Sequence, residues 1–225
     1  MTTKIVLIGA GGFGKEVASI IDYINFYGAE YERAYGKRYE LLGFLDDSPS
    51  FKSGDMIGKY HWLGPVNWIL DHKDNVVCNC TIGNAAVKRR IQEELTAQSV
   101  RFETIVAYGS FVGSGTKIGS GCVMYGGVSV SVDCEIGDGV LLNQGVNIGH
   151  DVTIGDYTTI MPYTGISGAC KVGSCVSIGG HAFVVPGKKI GDGATVAAGS
   201  IVFSNVKAGT TVLGNPAKRM KAIED

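Results

Sequence analysis

One apolar residue recurs every six positions from Val106 to Val202 without a break, passing through Val112, Ile118, Met124, Val130, Ile136, Leu142, Ile148, Ile154, Ile160, Ile166, Val172, Ile178, Val184, Ile190 and Val196. An α-helix cannot keep one face at that period. A parallel β-helix can, because each hexad supplies a short strand and a corner, and equivalent positions stack on successive coils. Four residues after each anchor comes a small or β-branched residue, from Ser110, Thr116, Cys122, Val128 and Cys134 onward to Val206, with Lys188 the clear exception. Two inward positions per hexad therefore fill a narrow prism. Gly follows the anchor directly at Gly113, Gly119, Gly137, Gly149, Gly155, Gly173, Gly179 and Gly191, where corners are expected. Three hexads make a coil of about 18 residues.

The first hundred residues have another texture. Lys4 to Gly9 reads as a buried strand, Phe13 to Phe26 as an amphipathic helix, and Leu41 to Leu45 and Val76 to Cys80 as two further strands. Asn84 is placed to cap a helix over Ala85 to Ala97, which carries an exposed cluster of Lys88, Arg89 and Arg90. Pro65 to Leu70 reads as a short helix, and Tyr27 to Arg38 and Ser48 to Gly58 as loops. Alternating strand and helix of this kind means a small Rossmann-like parallel α/β domain. The expected division is an α/β domain over 1–104, the β-helix over 105–213, and a tail over 214–225 that begins Gly214-Asn215-Pro216-Ala217-Lys218-Arg219.

Composition narrows the class of protein. A formal net charge of −1 gives no electrostatic case for nucleic acid or for an anionic membrane surface. No run of 18 apolar residues occurs, so no membrane insertion is expected, and Met1 leads at once into a strand-like segment, which points to a cytoplasmic protein. Of the six Cys, Cys122, Cys134 and Cys170 fall on the small inward position of their hexads, where a thiol packs as a small hydrophobe. Cys170 is thereby too inaccessible for a covalent acyl-enzyme. Cys78 and Cys80 form a C-x-C pair without further ligands, a poor zinc site.

Two places carry chemistry. Gly9-Ala10-Gly11-Gly12-Phe13-Gly14 matches G-x-G-x-x-G between a strand and a helix, where glycines let a phosphate approach N–H groups at the helix N-terminus. A domain of this size supplies half of a doubly wound fold, enough for a mononucleotide and not for NAD. Asp46 and Asp47 close the second strand, where a carboxylate could hydrogen-bond a nucleoside; the competing reading is a tight turn followed by a solvated acidic loop. His150 lies two places after the anchor Ile148, outside the inward positions and next to Asp151, a carboxylate able to orient an imidazole as a general base. One coil further on stands Gly168, whose backbone should lie about one strand spacing, roughly 4.8 Å, from His150. A Gly N–H beside a base is a candidate oxyanion donor.

Taken together, Ile8-Gly9-Ala10 through Lys15, Gly43-Phe44-Leu45-Asp46-Asp47, Ile82-Gly83-Asn84 and Leu142-Asn143 through His150-Asp151 resemble the hexapeptide-repeat sugar acetyltransferases of the sialic-acid O-acetyltransferase and bacillosamine N-acetyltransferase type. The resemblance covers nearly the whole chain. It implies a left-handed β-helix, a hand that periodicity alone does not give. It further implies a homotrimer with acetyl-CoA in the groove between two β-helices, no metal, and a nucleotide-linked amino sugar on the N-terminal domain at Gly9, Gly11, Gly12, Phe13, Gly14, Asp46 and Asp47. His150 becomes the base, with Asp151 and Asn143 completing the catalytic group, and Gly168 offers its N–H to the thioester carbonyl. Lys218 and Arg219 stand as phosphate partners of coenzyme A, against the alternative of a solvated basic tail. Phe13 replaces a His in the glycine turn, and Thr159 replaces a His that helps hold acetyl-CoA in the bacillosamine-type enzymes.

The reaction expected is direct transfer of acetyl to an amino group, with transfer to a sugar hydroxyl as the alternative. A γ-carbonic-anhydrase-like metal enzyme shares the prism but needs three His for zinc, and the repeat contains only His150 and His181, which fall on different faces. A noncatalytic scaffold is the third reading.

Overall fold

The computed structural model describes residues 2–220, and the chain divides into two compact units, Met1–Tyr108 and Gly109–Asp225. In the first, β1 (Thr2–Ile8) lies between β2 (Arg38–Leu45) and β5 (Val77–Cys80), parallel to both. β4 (Tyr60–Gly64) adds in parallel beyond β2, and β3 (Met56–Ile57) closes that edge antiparallel to β4. The helices among the described residues are α1 (Gly12–Phe26), α2 (Gly28–Tyr35) and α3 (Ala85–Thr96), with a 3₁₀ segment over Val66–Asp71. β1 is buried on both sides from Ile5 to Ile8, which explains its unbroken apolar run.

Three local expectations change. Tyr27 to Arg38 holds a helix, not a loop: α2 buries Tyr31, whose hydroxyl donates to Val106 O at 2.8 Å, and ends on Gly36 in the left-handed conformation, φ +69. The loop expected over Ser48 to Gly58 ends in β3, whose hairpin partner β4 carried too little alternation to be read. Lys88 is not part of an exposed cluster, because the inward stripe of α3 is Lys88, Ile91, Gln92 and Leu95. Asn84 does cap α3, its side chain accepting from Val87 N at 3.0 Å.

The second unit is a left-handed parallel β-helix. Its first face is built from Phe111–Val112, Ser129–Val130, Asn147–Ile148, Gly165–Ile166, Phe183–Val184 and Ile201–Val202. Its second runs from Lys117–Ile118 to Lys189–Ile190, and its third includes Val123–Met124, Leu141–Leu142, Thr159–Ile160 and Ser177–Ile178. The anchors are the core: Val130, Leu142, Ile160 and Ile178 are fully buried. Polar residues at the small inward position satisfy themselves upward, Thr158 and Thr164 donating to Gly173 O and Gly179 O at 2.8 and 3.0 Å. The tail expected from Gly214 is described through Met220 and contains a strand. Lys218–Arg219 forms a strand antiparallel to Thr211–Leu213 at the end of the third face, while 221–225 lie outside the described residues. Among the described residues no helix is long and apolar enough to cross a membrane.

Candidate active site

The glycine turn of the first unit is shaped by two of its members. Gly9 holds φ +105, and a Cβ on Gly14 would stand 2.1 Å from Gly9 O, so the strand-to-helix turn closes only with these residues bare. Gly11 is the N-cap of α1 and no side chain caps the helix there, and a Cβ on Gly11 or Gly12 would meet no other part of the chain, so the approach to the N-terminus of α1 is unobstructed. Both expected carboxylates are already engaged. Asp46 accepts from Ala10 N and from Ser48 N, each at 2.8 Å, and so fastens the turn to the end of β2; Asp47 accepts from Val66 N at 2.7 Å. Beside them, over the C-terminal ends of β1, β2 and β5, lies a cavity of about 220 Å³ lined by Gly9, Asp46, Asp47, Ile82 and Arg90 among others. Arg90 is a residue of this site that its reading as part of a solvated helix cluster did not reveal. Phe13 packs with Lys88, whose ammonium lies 5.6 Å from the ring centroid.

In the second unit His150 and Asp151 form the corner between the first and second faces. Asp151 adopts φ +56, a left-handed conformation that Asp tolerates better than most residues, and its carboxylate turns back to His150, Oδ2 lying 2.6 Å from Nδ1. That contact places the imidazole proton on Nδ1 and leaves Nε2 with its lone pair. The backbone registers Asn147 to Gly165 and Ile148 to Ile166, so the coil above presents Gly168 to the ring. A Cβ on Gly168 would stand 2.6 Å from His150 Nε2, and one on Gly149 would stand 2.5 Å from Gly168 N. Gly168 has its carbonyl bonded to Gly187 N at 3.0 Å, and its N–H has no acceptor among the described residues. A basic nitrogen and an open N–H donor thus share one solvent-facing corner, with His150 and Asp151 both well exposed.

Other expected site residues stand elsewhere. Asn143 belongs to the preceding corner, between the third and first faces, one face-width from His150 in the same chain, and its Oδ1 accepts from Gln144 N at 2.7 Å. Thr159 lies on the third face. Lys218 and Arg219 are exposed on the C-terminal strand, where only Arg219 lines a cavity of about 250 Å³, together with Lys207 and Asn205. Cys170 is fully buried inside the prism, Sγ donating to Val185 O. His181 occupies the same corner column as Asn143, stacked on Tyr163 with centroids 5.3 Å apart, and no group of three or more His, Cys, Asp or Glu among the described residues could hold a metal ion.

Residues 4–95 match the model of the PglD N-terminal domain, and residues 133–168 that of the bacterial transferase hexapeptide in six repeats. The chain belongs to the hexapeptide-repeat acetyltransferases that carry a PglD N-terminal domain. Similarity to a solved member of this family is end to end: the acetyltransferase domain of PglB from Neisseria gonorrhoeae FA1090 aligns over 97% of this chain and 100% of that one, with a TM-score of 0.84 and 26% identity. The same domain solved in complex with acetyl coenzyme A aligns with a TM-score of 0.83. PerB from Caulobacter crescentus, solved with CoA and GDP-perosamine, shares the fold at 22% identity, a TM-score of 0.79, and coverage of 98% of this chain and 99% of that one. Among curated relatives, the 2,3,4,5-tetrahydropyridine-2,6-dicarboxylate N-acetyltransferase of Clostridium perfringens is 45% identical over 56 residues. That stretch is 25% of this chain and 24% of the relative.

Proposed function

We propose that this family member transfers acetyl from acetyl-CoA to an amino group of a nucleotide-linked sugar by direct attack, with His150 as general base. The pairing of His150 Nε2 with the Gly168 backbone carries the reading. The acceptor nitrogen attacks the thioester carbonyl, its proton passes to Nε2, and the carbonyl oxygen becomes an oxyanion facing the Gly168 N–H. Collapse then expels the CoA thiolate, which takes up the proton. Asp151 stabilises the imidazolium formed on the way.

The open N-terminus of α1 and the cavity beside Asp46 and Asp47 support the first unit as the holder of the nucleotide-linked acceptor. The separation of Asn143 from His150 supports a homotrimer in which each site takes His150 from one copy and Asn143 from the next, a closed threefold arrangement natural to a three-faced prism. Incubation with acetyl-CoA and a panel of nucleotide-linked 4-amino sugars, read by release of free thiol, tests the activity. At least one amino sugar should release thiol stoichiometrically with N-acetyl product; release only with sugars lacking the amine would reassign the enzyme to hydroxyl acceptors.

A further inference from the structure

The position two residues after each hexad anchor forms a corner of the prism. From Ser114 to Ser204 it holds glycine, proline, alanine or a polar residue, with one exception, Val132. A β-branched side chain gains nothing from a tight corner, where Gly, Pro and short polar residues are preferred. Nor does the core hold it there, since 38% of its surface is exposed.

Its neighbours in the column supply a reason. Asp151 N donates to Val132 O at 3.1 Å and Ala169 N to His150 O at 2.8 Å, so Val132, His150 and Gly168 stack on successive coils. The spacing between them is that of neighbouring strands, roughly 4.8 Å. Asp133, Asp151 and Ala169 hold φ of +55, +56 and +58, so the corner repeats its geometry and the side-chain directions at the three positions run side by side. The His150 ring leans toward Gly168, where an added Cβ would stand 2.6 Å from Nε2, and therefore away from Val132. The isopropyl group is left as the floor of the space in front of Nε2. We propose that Val132 is the residue that restricts the transferred acyl group to acetyl. The proposal rests on the reading of His150 as base and Gly168 as oxyanion donor.

The shape of a thioester carries the argument further. Its carbonyl carbon is planar, so with the oxygen toward the Gly168 N–H the two other substituents, sulfur and the acyl carbon, point down the column. Sulfur bears the long coenzyme A chain, which must run out to solvent. The methyl alone is short enough to end against Val132. A methyl resting on an isopropyl group buries apolar surface, whereas a second carbon would have to enter the volume that the isopropyl fills. Branching at Cβ also restricts χ1, so Val132 cannot fold aside as Leu or Met would, which suits a stop.

Acetyl-, propionyl- and butyryl-CoA, compared as ligands by calorimetry and as donors by thiol release, test this on the full chain. The wild type should disfavour propionyl against acetyl by about tenfold or more in kcat/KM, the usual worth of one methylene in a closed pocket. Val132→Ala should raise the propionyl-to-acetyl ratio by about tenfold, lower kcat/KM for acetyl-CoA through the lost contact, and leave the KM of the amino sugar unchanged. Val132→Thr keeps the size and the branching and should keep the wild-type ratio. The proposal is overturned if the wild type uses propionyl-CoA as well as acetyl-CoA, or if Val132→Ala leaves the ratio unchanged. It is overturned too if the effect of Val132→Ala falls on the KM of the amino sugar, which would put the isopropyl against the acceptor. A protein that binds acetyl-CoA over propionyl-CoA, loses that preference in Val132→Ala and yet acylates no amino sugar would uphold the role of Val132 and overturn the proposed acceptor.

Discussion

The imidazole of His150 lies against the α-carbon of Gly168 in the coil above, so closely that a Cβ there would stand 2.6 Å from Nε2. Gly168→Ala should therefore push the ring off the line between its Asp151 anchor and the open N–H, even though Gly168 itself does not adopt a left-handed φ. Loss of the base geometry predicts a fall in kcat of about 10²-fold, with the melting temperature little changed. Steady-state kinetics beside a thermal melt check it, and a variant with wild-type kcat would separate Gly168 from the chemistry.

His150→Ala should lower kcat by about 10²–10⁴-fold, toward the smaller end for an amine acceptor. An ammonium needs only its proton removed before attack, so the deficit should shrink at alkaline pH, where solvent deprotonates the amine unaided; a hydroxyl acceptor would show no such recovery. Asp151→Asn should have a smaller effect on kcat, because the amide can still contact Nδ1 but no longer holds the ring with a charged acceptor at 2.6 Å. The pH profile of kcat for both variants is the measurement.

Much of this architecture is written in the hexad. The anchors and the 18-residue stacking of His150 beneath Gly168 follow from spacing alone, since in a regular prism sequence distance is spatial distance. The same regularity sets Asn143 apart from His150 within one chain. Seven residues is one face-width, so Asn143 and His150 share a corner only if a second copy brings them together. In the α/β unit no such ruler exists. α2 is held by the burial of one residue, Tyr31, and by contacts distant in sequence, which its polar composition conceals. Lys88 sits three residues before Ile91 and seven before Leu95 on the inward stripe, a register that reveals its burial once its charge is set aside.

If neighbouring copies complete each site, His150→Ala and Asn143→Ala should each lower activity as pure proteins, yet co-expressed chains should recover part of it. Random mixing in a trimer pairs an intact His150 with an intact Asn143 at about a quarter of the interfaces. Recovery to roughly that share of wild-type activity is expected. A mixture no better than the average of its parents, or a monomer by light scattering, would contradict the shared site.

One corner of the prism is stapled by carboxylates. Asp138 accepts from Ser120 N at 2.7 Å, Asp156 from Asp138 N at 2.8 Å, and Asp192 from Ser174 N at 2.8 Å, each reaching across one coil. Asp156→Ala removes the side-chain acceptor of the Asp138 amide, a loss of about 1 kcal/mol. In a chain of this size that lowers the melting temperature by roughly 2–4 °C, with kcat unchanged.

The thiols of the first unit predict its alkaline behaviour. Burial pushes Cys80 up to about 11 from an ordinary 9.0, with a hydrogen bond at Ile82 and the charge of Lys88 opposing, and burial raises Cys78 further still. Both remain protonated in the folded chain while the unfolded chain releases its protons from about pH 9 upward. The unfolded state therefore binds fewer protons, and stability falls as pH rises through that window, having been fully present below it. For Cys80 alone the loss at pH 10.5 is on the order of 2 kcal/mol. Denaturant unfolding of this unit at pH 8 and pH 10.5 should show the drop, and Cys80→Ala should flatten it. An unchanged slope in that variant would mean that the alkaline sensitivity arises from Cys78 and from the buried tyrosines Tyr31 and Tyr39, which burial shifts in the same direction.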